Sequence, residues 1–156
     1  MELLEKDDRL TWDEYFMNVA ILASMRSKDT STKVGAVVVK DNRVISMGYN
    51  GMPHGLELSW NKNSGLDNKY LYVCHAELNA ILNVRGHSSV EGSTIYVTLL
   101  PCNECTKMLI QAGISRVVYL EDKYPDHLSF QASKIMLEKA NIKLEQYKDR
   151  VLKMSF

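Results

Sequence analysis

Excess charge of either sign is missing from this sequence. Its 19 Lys and Arg balance 19 Asp and Glu, so the formal net charge is zero. A protein that grips a long nucleic acid by its phosphates needs a basic surface, so neutrality argues against a nucleic-acid partner and favours a small substrate. Long apolar runs are missing too. No stretch approaches the ~18 apolar residues of a membrane span, and Met1-Glu2-Leu3-Leu4-Glu5-Lys6-Asp7-Asp8 is too acidic and too poor in apolar residues for a signal peptide. Cysteine is scarce, with three in 156 residues, two of them in one C-x-x-C. That count excludes a disulfide framework and makes a reducing, cytoplasmic compartment the expectation. There is no internal repeat, low-complexity tract or domain linker. One domain over 1–156 is expected, with 1–10 as a charged N-terminal arm. Apolar residues at 46% and charged residues at 24% are ordinary for a globular chain, and the length suffices for a sizeable core.

Thr11 with Glu14 three residues on forms a capping box and predicts a helix over about 12–26. Tyr15, Val19, Leu22 and Met25 recur along it at helical spacing, and Phe16, Ala20 and Ala23 widen the apolar face. The helix runs into Arg26-Ser27-Lys28-Asp29, whose cations suit either a helix C-terminus or a phosphate clamp. Val34-Gly35-Ala36-Val37-Val38-Val39, the turn pair Asp41-Asn42 and the alternating run Arg43 to Tyr49 predict a β-hairpin. The small pair Gly35-Ala36 could let a flat ring approach the backbone or could pack against a helix. Asn50 opens a loop rich in turn residues, where it could meet a sugar hydroxyl or satisfy a turn. His54 in that loop is expected to be solvated, and 56–70 to be an exposed insertion over a pocket mouth. A helix then runs from His75 to about Val84 and ends at Gly86. Next come a strand over 93–99, a helix with Pro101 at its start and Gly113 at its end, a strand over 116–120, a helix over about 128–140 and a strand over 142–147. This order predicts an α/β fold on a mixed sheet, an antiparallel hairpin first and a parallel crossover later.

Chemistry concentrates in two short stretches, Cys74-His75-Ala76-Glu77 and Pro101-Cys102-Asn103-Glu104-Cys105. H-x-E followed by P-C-x-x-C is the signature of zinc-dependent nucleobase deaminases. His75, Cys102 and Cys105 make three ligands, one fewer than the four of a structural zinc, and a catalytic zinc keeps its fourth position for water. Both groups fall at predicted helix starts, where partial positive charge favours thiolates. Cys102 and Cys105, three residues apart, share one side of the first turn. Glu77 is then the candidate general acid–base beside that water. Cys74 is expected to be a small buried residue.

The resemblance goes further than the zinc signature. Trp12-Asp13-Glu14-Tyr15-Phe16-Met17, Arg26-Ser27-Lys28-Asp29, Lys33-Val34-Gly35-Ala36, Gly48-Tyr49-Asn50-Gly51-Met52-Pro53, Tyr72 through Ile81, Pro101 through Cys105, Gln111-Ala112-Gly113-Ile114 and Asp122-Lys123-Tyr124 together resemble the deoxycytidylate (dCMP) deaminases over about 12–124. The resemblance implies a cytidine deaminase-like three-layer α/β/α sandwich around a mixed five-stranded sheet. It implies conversion of dCMP to dUMP and ammonia, feeding thymidylate synthesis. It makes Arg26 and Lys28 phosphate ligands, with Lys123 and Tyr124 closing the same end, Asn50 the sugar contact and Ala36 a wall for the base. It also implies a homohexamer activated by dCTP and inhibited by dTTP, through sites near Gly48, Tyr49 and Gly51, with Mg²⁺ accompanying the regulatory nucleotide.

The chain departs from that family after Gly55. Relatives carry a Cys-Ser-Asp-Asp run there, whereas this chain has Leu56-Glu57-Leu58-Ser59. With Cys74 alone to spare, one catalytic Zn²⁺ per subunit is expected and no second structural ion. The alternatives are deamination of dCTP, of 5-substituted dCMP or of another base, and a non-catalytic zinc or nucleotide-binding protein. A tRNA deaminase would be more basic, and a structural zinc site has no use for Glu77.

Overall fold

A computed structural model of the chain describes residues 7–86, 88–153 and 155, so residues 1–6 of the expected arm lie outside the described residues. The elements run α1 (Trp12–Ser24), β1 (Gly35–Lys40), β2 (Arg43–Tyr49), a 3₁₀ turn (Lys69–Leu71), α2 (Ala76–Leu82), β3 (Thr94–Leu99), α3 (Asn103–Ala112), β4 (Arg116–Glu121), α4 (Leu128–Lys139) and β5 (Lys143–Gln146). The five strands lie in the order β2-β1-β3-β4-β5. β1 is antiparallel to both β2 and β3, while β3, β4 and β5 run parallel. Asp41 and Asn42 close the hairpin with positive φ at both positions, the twist-compatible form for a two-residue turn.

Period-two alternation divides the core. Val37, Val39, Tyr96 and Val118 face α1, meeting Phe16, Met17 and Ala20. Ala36, Val38, Ile95, Val97 and Val117 face the other way, meeting Ala76 and Ala80 of α2, Leu109 of α3 and Leu137 of α4. The sheet thus carries one helix on one face and three on the other, the three-layer α/β/α arrangement. Arg116 on β4 bonds Asp13 of α1 and Glu145 of β5, and the Tyr96 hydroxyl donates to the same Asp13 carboxylate. This network fastens the start of α1 across three strands.

Local signals held at the start of α1 and only in part on its face. The Thr11–Glu14 capping box forms in full, and the helix stops at Ser24, two residues before the expected end, in a polar turn. Of the expected apolar residues, Phe16, Ala20 and Ala23 are buried together with Met17, and Val19 packs beside them, while Tyr15, Leu22 and Met25 face outward. α1 is apolar on two adjoining faces, and the choice between them follows from its close approach to β1. A Cβ at Gly35 would lie 1.9 Å from the Ala20 carbonyl oxygen, so the helix backbone rests on the strand at that glycine. Pro101 precedes α3 instead of starting it, because Cys102 takes the N-cap position with extended backbone. Gly113 ends α3 in the left-handed conformation, at φ 84°. No helix among the described residues is long and apolar enough to cross a membrane.

Candidate active site

Val34 immediately precedes β1, Asn50 follows β2, Leu99 ends β3 with Leu100 just after it, and Tyr124 lies just past β4. Because β1 and β2 run in opposite directions, all of these positions fall at one edge of the sheet. That is the carboxyl edge of the parallel strands, where α/β folds bind ligands. There they line a cavity of about 450 Å³. His75, Ala76, Glu77 and Cys102 form part of its wall, with Asp29, Thr32, Lys69, Tyr70, His127, Ser129 and Phe130.

His75 is the N-cap of α2, yet its side chain makes no cap hydrogen bond. The imidazole turns instead to the start of α3, with Nδ1 3.5 Å from Cys102 Sγ and 3.4 Å from Cys105 Sγ. All three donor atoms lie within 4.8 Å of one another, the one group of metal-competent side chains found among the described residues. A tetrahedral zinc with bonds of ~2.3 Å to sulfur and ~2.0–2.1 Å to nitrogen sets S and N about 3.5 Å apart. The donor set and its spacing therefore fit the ion. Cys74, half-buried, and His54, exposed, stand outside the group.

Packing holds α2 in place. A Cβ at Gly48 would meet Ala80 N at 2.5 Å and Ala76 O at 2.6 Å, so α2 lies directly on β2. Ser46 Oγ donates to Ala80 O and Asn79 Nδ2 donates to Tyr49 O at 2.8 Å. Gly51 and Cys74 exchange backbone hydrogen bonds of 3.0 and 2.7 Å, which sets the approach to His75. At the facing end, Asn103 N donates to Ser129 Oγ and Ser129 Oγ to Asn103 Oδ1, tying the start of α4 to the start of α3.

The electrostatics suit a divalent cation with two thiolates. A hydrogen bond from the Cys105 thiol holds Cys102 down to about 4, against burial and with help from His75. The same hydrogen bond and burial push Cys105 upward. A +2 ion supplies the charge that lets both sulfurs ionise together. His75 is raised, chiefly by its hydrogen bond with Cys102. Burial raises the carboxyl of Glu77, with His75 pulling the other way. Glu77 is 3% exposed in the first turn of α2.

Residues 10–121 match the family described as "Cytidine and deoxycytidylate deaminase zinc-binding region". The chain belongs to this deaminase family. It is 44% identical to the deoxycytidylate deaminase of Mus musculus over 96% of this chain and 87% of that protein, and 45% identical to that of Homo sapiens over 92% and 83%. Among solved structures, it is similar to the dCMP deaminase of cyanophage S-TIM5 in complex with dCMP and dUMP. The TM-score is 0.71 at 30% identity, covering 86% of this chain and 95% of that one.

Within this deaminase fold the expected site residues separate. His75, Glu77, Cys102, Asn50 and Tyr124 line the cavity, and Cys105 completes the metal group. Arg26, Lys28 and Lys123 are exposed and are not on its wall. In Arg26-Ser27-Lys28-Asp29 it is the uncharged and acidic members that turn inward, Ser27 and Asp29 each being 4% exposed. Arg26 lies over the Tyr49 ring, 5.9 Å from its centroid. Ala36 is fully buried in the core with Ala76 and Ala80, not on the cavity wall. Central β1 is covered on both faces, which leaves it no free side for a ligand. Asn50 carries structural bonds of its own: Oδ1 accepts from Val34 N, and Nδ2 donates to Thr32 O and Asp29 Oδ2. Gly48 lies under α2, while Tyr49 and Gly51 are half-buried; none of the three lines the cavity.

Lys69, Tyr70, His127, Ser129 and Phe130 were missed as wall residues. Most of the insertion over 56–70 is exposed as expected, but Lys69 is 2% exposed. A lone lysine in a polar stretch carries no sequence signal of burial. His127 and Ser129 follow a strand and open a helix, which was a usable hint.

Proposed function

We propose that this chain catalyses the hydrolytic deamination of dCMP to dUMP and ammonia. The observation that carries the reading is one imidazole nitrogen 3.4–3.5 Å from two cysteine sulfurs, with the buried carboxyl of Glu77 two residues along, at a nucleotide-sized cavity. The deoxycytidylate deaminases it resembles, and the phage dCMP deaminase in complex with dCMP and dUMP, support the choice of substrate.

His75, Cys102 and Cys105 would hold one zinc ion. When bound, zinc supplies Lewis-acid activation that brings the pKa of water down to roughly 7. Glu77 takes a proton from the attacking water as it adds to C4 of the cytosine ring. Glu77 gives that proton to ring N3, then takes the second proton from the new C4 hydroxyl and passes it to the exocyclic amine, so that the C4–N bond breaks as C4=O forms and ammonia leaves. Burial suits Glu77 to this work, since a carboxyl group raised towards neutrality can both accept and give a proton. Val34, Val73, Leu99 and Leu100 form the apolar part of the cavity wall. The open rim at Tyr124, which is 49% exposed, takes the 5′-phosphate, with Arg26, Lys28 and Lys123 supplying charge from outside the wall. Asn50 faces the sugar.

The same reading extends to a cytoplasmic homohexamer, activated by dCTP and inhibited by dTTP with Mg²⁺, through the segment containing Tyr49 and Gly51. The test is direct. Purified protein with zinc releases ammonia from dCMP, and Glu77→Gln keeps one zinc per chain while losing turnover. Activity on dCTP or a free base but none on dCMP overturns the substrate, and full activity of Glu77→Gln removes the proton shuttle.

A further inference from the structure

Residues 52–73 form a long excursion between β2 and α2, and a single buried contact holds its interior. Within the excursion, Lys69 N donates to Asn61 O, Asn63 N to Asp67 O and Tyr72 OH to Leu66 O. None of its residues joins either hydrophobic core cluster. Among the described residues, one side chain of 52–73 hydrogen-bonds outside the excursion. Lys69 Nζ reaches Asp29, at 2.8 Å from Oδ1 and 2.6 Å from Oδ2. The two side chains are 2% and 4% exposed.

Asp29 is the hub of that contact. Its Oδ1 also accepts from Ser31 N at 2.7 Å and Thr32 N at 3.2 Å, and its Oδ2 from Asn50 Nδ2 at 3.3 Å. Asn50 in turn fixes Thr32 and Val34. Asp29, Thr32, Val34, Asn50, Lys69 and Tyr70 all face the cavity. One ion pair therefore joins three separate stretches of chain into one side of the substrate pocket. Lys69 is also the one lysine or arginine on that wall among the described residues.

We propose that the Lys69–Asp29 pair is a latch that seats the 52–73 excursion on the pocket and orients Asn50, making Lys69 a positioning residue for substrate. This rests on the deaminase reading above. An ammonium chelated by a carboxylate away from water exchanges its partner reluctantly, so the latch holds Tyr70 and Asn50 in register before substrate arrives. Its contribution falls on binding and not on the proton transfers at Glu77.

The experiment compares wild type, Lys69→Met and the charge-neutral pair Asp29→Asn/Lys69→Met, with dCMP as substrate. Each is measured for zinc content, kcat, KM and hydrogen exchange of 61–73. Lys69→Met is expected to raise KM by about tenfold or more, with kcat within about threefold, zinc content unchanged, and protection lost over 61–73 but kept in the sheet. The double variant strands no charge, folds well and keeps the raised KM. A wild-type KM in the double variant overturns the latch, because the defect of the single variant was then only an orphaned carboxylate. An equal fall in kcat and kcat/KM in the double variant also overturns it, since that places the effect in the chemical step. A wild type inert towards dCMP sinks the substrate reading, and this inference with it.

Discussion

Substituting Gly48 by Ala tests how the active site is suspended. β2 carries α2 on its back at this point, and α2 carries His75 at its N-cap and Glu77 in its first turn. The added Cβ would sit 2.5 Å from Ala80 N, 2.6 Å from Ala76 O and 2.9 Å from Asn79 C. All three are backbone atoms, so no rotamer change relieves the clash. Reaching an ordinary contact of 3.4 Å requires α2 to retreat by about 0.9 Å. Overpacking of this kind costs about 1–3 kcal/mol, or a fall in Tm of roughly 2–12 °C for a chain of this size. The retreat moves His75 away from sulfurs held by α3, and moves Glu77 with it. A misplacement near 1 Å can cost as much as about a hundredfold in rate, so zinc affinity and kcat should both fall. Thermal unfolding, metal content after dialysis and steady-state kinetics read the three effects. Gly51→Ala, whose Cβ meets nothing within 4 Å, serves as the stability control and should hold its Tm. Wild-type Tm, zinc and kcat in Gly48→Ala would refute the suspension. Normal basal activity with an altered response to dCTP or dTTP would assign Gly48 to regulation instead.

Two further outcomes test the rim and the C-terminal segment. Arg26→Ala should raise KM for dCMP far more than KM for deoxycytidine, and equal effects would remove Arg26 from phosphate binding. Arg150 hydrogen-bonds Glu14 of the capping box and holds that carboxyl down to about 2, from an ordinary 4.5. A depressed carboxylate stabilises the fold above its unfolded pKa, and the contribution is lost as pH falls through the folded value. Arg150→Met should therefore lower Tm at neutral pH, and the gap from wild type should close between about pH 5 and pH 2. A gap independent of pH would mean that Arg150 acts by packing alone.

The hydrogen bonds of Asn50 show why a site residue can be named from sequence and its neighbours cannot. A loop asparagine after a strand offers an amide to a sugar or to a turn, and its position alone does not say which. In the fold both amide hydrogens go to the 29–32 segment, while the side chain still lies on the cavity wall.

The metal group and its acid–base partner were legible in the linear chain because their spacing is short and helical. Cys102 and Cys105 share one turn, and His75 and Glu77 share another. The capping box of Thr11 and Glu14 and the Asp41-Asn42 turn were legible for the same reason, each being a contact between residues at most three apart. Which face of α1 is buried was decided by the glycine of β1 on which the helix rests. The inward turn of Ser27 and Asp29, with Arg26 and Lys28 left in solvent, and the burial of Lys69 were likewise decided by tertiary structure. Asp29, Asn50 and Lys69 are brought together from separate segments by chain packing, and no periodicity along the sequence encodes a meeting of that range.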